Sequence, residues 1–128
     1  VKLLLDTCSF LWAVNEPSRL SRNAFGLIED PDNELFVSSV SAFEIAVKGK
    51  DRRFPLAVNP EIEVPRLRAE LGAATLLLTE EAALYAFNLP PLHRDPFDRL
   101  LISQAIVEGL VLVTPDRNIH NYAVRVFW

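Results

Sequence analysis

The stretch Leu3-Leu4-Leu5-Asp6-Thr7 decides the fold. Three leucines bounded by a charge read as a short strand buried on both faces, because a strand packed on one face only alternates apolar with polar. Strands of this kind are parallel, with helices above and below. Each delivers its last residue to the carboxyl edge of the sheet, where open α/β folds gather their ligands. Asp6 is then a carboxylate aimed at a crevice, unless it serves only as the N-cap of the segment after it. The rest of the chain is read for other acids arriving at the same place.

The sequence alternates strands and helices around this stretch. Lys2 to Asp6 is the first strand, and Thr7 to Ala13 a short helix broken by Asn15-Glu16-Pro17. Ser21 caps a second helix through about Glu29, and Asp30-Pro31-Asp32-Asn33 is a turn. Leu35 to Val37 is the second strand. Ser39 or Ser41 caps a third helix ending near Gly49. Asp51 to Pro60 reads as a loop. Glu61 to Leu71 is a helix closed by Gly72, with Pro65 a kink or restart. Ala74 to Leu78 is the third strand, and Thr79 starts a helix through about Phe87. Asp95-Pro96 opens the clearest helix, running to about Glu108. Leu110 to Val113 is the fourth strand and Val124 to Phe127 a weak fifth. This alternation predicts an α/β fold with a parallel sheet covered on both faces.

Bulk properties narrow the function. At 128 residues, half of them apolar, the chain suits a single domain over 1–128 with a packed core. No apolar run is long enough to span a bilayer, no signal peptide is read, and a lone cysteine, Cys8, fits a reducing cytoplasm. The net charge of −4 argues against a general basic surface for nucleic acid, while leaving room for local basic patches. Only four glycines are present, none placed as a phosphate-binding loop after a strand.

Four acids stand out. Asp116 lies two residues past the apolar run of the fourth strand, as a second strand-end carboxylate or as a turn residue after Pro115. Asp98 falls on the apolar face of its helix beside Leu101, Ile102 and Ala105, where a charge is costly without compensation. That placement favours function over a capping box in which Asp98 reaches back to Asp95. Glu44 reads differently: it lies opposite the Phe43/Ala46/Val47 face with Lys48 one turn on, the pattern of a solvated ion pair. Cys8 reads as a buried thiol, His93 as a loop residue and His120 as a surface one. Lys48, Lys50, Arg52 and Arg53 form the only basic run. Together with Arg99 and Arg117, which directly follow candidate acids, they are candidate phosphate contacts.

Taken together, LLLDTCSFLWAV (3–14), SSVSAFEIAVKGK (38–50), LHRDPFDRLLISQA (92–105) and LVLVTPD (110–116) resemble the PIN-domain family, and within it the VapC-like toxins of toxin–antitoxin pairs. The family usually has tryptophan where Phe43 stands. The resemblance implies a three-layer α/β/α fold of about five parallel strands in the order 3-2-1-4-5. It assigns Asp6, Glu44, Asp98 and Asp116 to a catalytic acidic site, with Asp6, Asp98 and Asp116 on the metal and Thr114 and Lys48 in support. For Glu44 it replaces the solvated reading. An all-carboxylate set suits Mg²⁺ or Mn²⁺. The implied activity is endoribonuclease cleavage of RNA, with a homodimer and an antitoxin that blocks the site. A silent module of the same fold, binding RNA or protein, is an alternative. A phosphoryl-accepting regulator is another, although Cys8 stands where one class of such sites wants a second aspartate.

Overall fold

The structure is a computed structural model that describes residues 1–50 and 59–128. Among the described residues, five strands run parallel: β1 (Lys2–Leu5), β2 (Glu34–Ser38), β3 (Ala74–Leu76), β4 (Val111–Val113) and β5 (Val126–Phe127), in the order β3-β2-β1-β4-β5. The helices are α1 (Thr7–Asn15), α2 (Arg22–Glu29), α3 (Ser39–Lys50), α4 (Pro60–Leu71), α5 (Glu80–Tyr85) and α6 (Pro96–Glu108). None of the helices among the described residues is long and apolar enough to cross a membrane.

The leucine run behaves as its composition dictates. Leu3, Leu4 and Leu5 are fully buried, and they alternate between two cores. Leu3 and Leu5 join Phe10, Ile28, Val37, Ile45, Leu67, Val111 and Val113 on one face of the sheet. Leu4 joins Val40, Leu101, Ile102, Ala105, Leu112 and Ile119 on the other. Burying each such side chain is worth about 1.5–3 kcal/mol, so both layers hold β1 in place. Its neighbours are β2, with Leu5 opposite Val37, and β4, with Leu5 opposite Val113.

The long helix α6 begins on Asp95, whose carboxylate accepts from Phe97 N, with Pro96 in the first turn. It ends at Gly109, where φ is +69°. That left-handed conformation is easy only for glycine. Pro65 neither ends nor restarts α4, which runs unbroken from Pro60, with Asn59 as its cap residue. The edge strands are shorter than their sequences suggest. β3 stops at Leu76, opposite Ser38, and Leu78 N donates to Ser39 Oγ instead of a neighbouring strand. β5 spans only Val126–Phe127, opposite Leu112 and Val113. An edge strand pairs on one side alone, so its ladder ends where its single neighbour ends. The sheet order reverses direction between β1 and β4, which makes the gap beyond their carboxyl ends the switch point of the fold.

Candidate metal centre at the switch point

Asp6 follows β1 directly, and its backbone N donates to Val113 O of β4 at 3.1 Å. Its carboxylate does both things its sequence position allowed. Oδ1 caps α1 by accepting from Ser9 N at 2.8 Å, while Oδ2 accepts from Thr114 Oγ1 at 2.6 Å. Burial pushes the Asp6 carboxyl up; the bonds from Ser9 and Thr114 pull it part of the way back, and the charge of Glu44 adds to the rise. The net result is a buried acid short of positive charge.

Glu44 contradicts its helical-wheel reading. It is 4% exposed, whereas Phe43 is 62% exposed and Val47 also lies at the surface. The apolar stripe chosen from sequence is therefore the outer face of α3, and Val40, Ser41, Glu44 and Ile45 point inward. Thr7 Oγ1 donates to Glu44 Oε1 at 2.5 Å, and Lys48 Nζ donates to Oε2. The Lys48 ammonium also lies 3.8 Å from Asp95 Oδ2 and 5.6 Å from the Phe97 ring centre. Partial burial works against that ammonium, yet Glu44, followed by Asp95 and Asp98, outweighs it and holds Lys48 above its ordinary pKa.

The capping box does not form at Asp98. The Asp95 N–H goes to His93 Nδ1 at 3.1 Å, and Asp98 turns its carboxylate to the same ring, with Oδ2 3.1 Å from His93 Nε2. Asp116 Oδ2 is hydrogen-bonded to the same Nε2 at 2.8 Å. As with Asp6, the turn reading of Asp116 also holds, because its Oδ1 accepts from Asn118 N. Burial, followed by the charge of Asp95, raises Asp98 to about 7; His93 opposes this, and Asp6 and Glu44 add to it.

His93 is the residue that sequence reading misses. The sequence places it in a loop, correctly, but gives it no role. Its signal is faint: a histidine two residues before an N-cap aspartate. Its loop is held by Arg99, whose guanidinium donates to the carbonyls of Ala86, Leu89 and Pro90 and to Tyr122 Oη. Arg99, expected as a phosphate contact, is thus turned toward the fold. Tyr122 Oη in turn accepts from His93 N and donates to Pro90 O. Arg117 is exposed in the turn after Asp116. The side chain of Lys50, together with Arg52 and Arg53, lies outside the described residues.

One cleft of about 260 Å³ is lined by Asp6, Glu44, Asp98 and Asp116, together with Thr7, Cys8, Lys48 and Asp95. A larger one, about 490 Å³, lies elsewhere against the ends of α1, α2 and α4 and gathers no comparable cluster. Cys8 is half-buried rather than buried. Burial, with the charges of Asp6, Glu44 and Asp98, pushes its thiol up to about 12, so it stays protonated and is no nucleophile.

Residues 3–125 match the family model described as PIN domain. The chain belongs to the PIN-domain family. It is VapC-like within that family: it is 37% identical over 121 residues to "Ribonuclease VapC22" of Mycobacterium tuberculosis (strain ATCC 25618 / H37Rv), covering 94% of this chain and 91% of that protein. Its fold is that of VapBC2 from Rickettsia felis, solved bound to a DNA fragment from their promoter (TM-score 0.71, 17% identity, 99% and 98% of the two chains). The DNA-bound VapBC from Salmonella typhimurium is also similar (TM-score 0.68, 19% identity, 99% and 97%). At such identities the likeness speaks for the fold alone.

The donor chemistry of this PIN domain fits a divalent cation. Two acids at the cleft sit above the ordinary carboxylate range, Asp6 and Asp98, and a cation between them and Asp116 would relieve both. One ligand atom each from His93, Asp98 and Asp116 lie within 4.8 Å of one another. That grouping differs from the expected trio in holding His93 rather than Asp6, whose two oxygens already accept from Ser9 and Thr114. Each oxygen of Asp6 keeps a further lone pair for a cation.

Proposed function

We propose that this protein is a metal-dependent endoribonuclease, the toxin of a toxin–antitoxin pair, and that Mg²⁺ or Mn²⁺ is held by Asp6, Asp98 and Asp116. The observation that carries the reading is the gathering of Asp6, Glu44, Asp98 and Asp116, with Asp95 beside them, on one cleft at the switch point, with Asp6 and Asp98 pushed up by burial first and by neighbouring carboxylates after it. Oxygen donors of this kind suit hard cations. Such an ion, when bound, lowers the pKa of water and neutralises charge on the phosphodiester.

The chain's own residues supply the rest. Thr114 fixes the rotamer of Asp6, and the Asx turn at Asn118 fixes Asp116. Glu44, held from both sides by Thr7 and Lys48, is the group that accepts a hydrogen bond from the attacking water and orients it. Lys48 balances that charge and offers an ammonium to the phosphate. Water adds at phosphorus, the bond to the 3′ oxygen breaks, and that oxygen takes up a proton. The products are a 5′-phosphate and a 3′-hydroxyl.

A cleft this small lies below the range typical for whole-ligand pockets, roughly 300–1,000 Å³. RNA therefore crosses its mouth and presents one phosphodiester. Lys50, Arg52, Arg53 and Arg117 are its proposed backbone contacts; Arg99 is left out, because its donors serve the loop that carries His93. The proposed partners are an antitoxin that covers the cleft and a second copy of the chain, in the cytoplasm. The similarity to a protein named as a ribonuclease supports the activity. Antitoxin-free protein incubated with total RNA tests it: cleavage with Mg²⁺ or Mn²⁺, and none in excess chelator, is expected. Undiminished cleavage in chelator overturns the metal mechanism.

A further inference from the structure

His93 touches two of the acids that line the cleft, and its nearness to them leaves open whether it ligates the cation. Its ring meets two carboxylates at one atom: Nε2 is hydrogen-bonded to Asp116 Oδ2 at 2.8 Å and lies at ion-pair distance, 3.1 Å, from Asp98 Oδ2. A carboxylate oxygen of Asp116 accepting at Nε2 fits a hydrogen on that nitrogen. The other ring nitrogen agrees, because Nδ1 accepts the Asp95 backbone N–H. A neutral imidazole has one proton, and with the Nδ1 lone pair engaged that proton sits on Nε2.

A protonated Nε2 has no lone pair for a metal ion. Ligation through Nε2 would need the proton moved to Nδ1, where it would face the Asp95 N–H donor to donor. Asp95 cannot easily turn away, since it caps α6 through Phe97 N. The backbone of His93 is fixed as well, through His93 N to Tyr122 Oη and the Arg99 clamp on the same loop. The fixed backbone leaves rotation of the side chain, at the cost of its two ring hydrogen bonds, as the way for the ring to move.

We propose that His93 is a positioning residue that stands in for the cation: its Nε2–H bridges Asp98 and Asp116 in the metal-free protein, must swing aside when a divalent ion takes those carboxylates, and does not ligate the ion. The inference rests on the metal-site reading above. Its consequence is a weakened apparent affinity, because the ion binds only the fraction of molecules in which the ring has left. The ring thereby keeps two acids in register at the switch point until the ion arrives.

Two substitutions separate the roles of the ring nitrogens. His93→Asn places an acceptor near the Nδ1 position for the Asp95 N–H and is too short to bridge the acids. His93→Gln carries an N–H toward the Nε2 position. Mn²⁺ binding to the antitoxin-free full chain, measured by calorimetry, should be roughly tenfold tighter in H93N and within about threefold of wild type in H93Q. Pulsed electron paramagnetic resonance of the wild type with Mn²⁺ should show no directly bound imidazole nitrogen. H93N binding Mn²⁺ equally or more weakly, or a nitrogen ligand in the wild type, overturns the proposal. D98N and D116N serve as controls. If they bind Mn²⁺ as the wild type does, the metal-site reading fails and this inference with it. If they lose Mn²⁺ while H93N is unchanged, this inference fails alone.

Discussion

Thr114 Oγ1 donates to Asp6 Oδ2 at 2.6 Å, joining residues 108 positions apart across the seam between β1 and β4. The same hydroxyl oxygen accepts from Asp116 N at 3.1 Å. One fully buried threonine thus ties two of the cleft acids together. Thr114→Val keeps the shape and removes both bonds, taking the donor from Asp6 Oδ2 and the acceptor from the Asp116 N–H while Ser9 N still donates to Asp6 Oδ1. The expected loss is about 1–3 kcal/mol in the metal-free protein, with Thr114→Ser close to wild type. Urea unfolding in chelator measures it, and a valine variant as stable as wild type would remove the hydroxyl from this role.

Asp98 has a folded pKa raised to about 7 by burial first and neighbouring charge second. The folded state therefore binds a proton more tightly than the unfolded chain. The stabilisation this provides is fully present below the unfolded carboxyl value, ordinarily about 3.9, and is lost as pH rises through about 7. A tenfold difference in proton affinity between the folded and unfolded states is worth about 1.4 kcal/mol. Asp98→Asn removes the group that loses its proton. Without metal, the variant should be more stable than wild type near neutral pH, and the difference should vanish toward pH 4. It should also be inactive. Added Mg²⁺ should stabilise the wild type by preferential binding to the folded state, and the variant less. Thermal melts across pH, with chelator and with Mg²⁺, decide the matter; a variant less stable than wild type at neutral pH speaks for a helix-capping role instead.

The inversion of α3 makes a sharp contrast between adjacent residues. Phe43 is largely exposed and makes an edge contact with Phe97, ring centres 5.8 Å apart. Phe43→Ala should cost at most about 1.5 kcal/mol, below the ~3–5 kcal/mol of a core phenylalanine. Glu44→Ala next to it should cost more than an exposed glutamate would, because it removes the carboxylate to which Thr7 Oγ1 and Lys48 Nζ donate at a buried site. Denaturation curves of the two variants test the orientation directly; a Phe43→Ala loss of core size would return that face to the interior.

The basic run gives a prediction readable in salt. Neutralising Lys50, Arg52 and Arg53 should weaken RNA binding. It should also flatten the log–log salt dependence by up to about two, at roughly 0.7 per single-strand phosphate contact. Binding titrations at several salt concentrations measure the slope, and an unchanged slope places the run away from RNA.

Residues whose environment is set locally were legible in the sequence. Leu3 to Leu5 have no polar alternation, so only a strand buried on both faces accommodates them, and this delivers Asp6 to the sheet edge. Asp98 stood out because the helix around it is strongly apolar on that side. The tertiary structure alone decided Glu44 and His93. Periodicity marks two faces of α3 without saying which one meets the sheet. Here the inward face carries Ser41 and Glu44, because the helix closes a polar cleft and Thr7 and Lys48 satisfy the buried carboxylate. His93 has no periodicity at all. Its place between Asp98 and Asp116 depends on Arg99 and Tyr122 fixing the loop, and those contacts join α6 to a residue 23 positions away. Local sequence encodes propensity and pattern, whereas the convergence of carboxylates from β1, α3, α6 and the end of β4 is a property of the packed sheet.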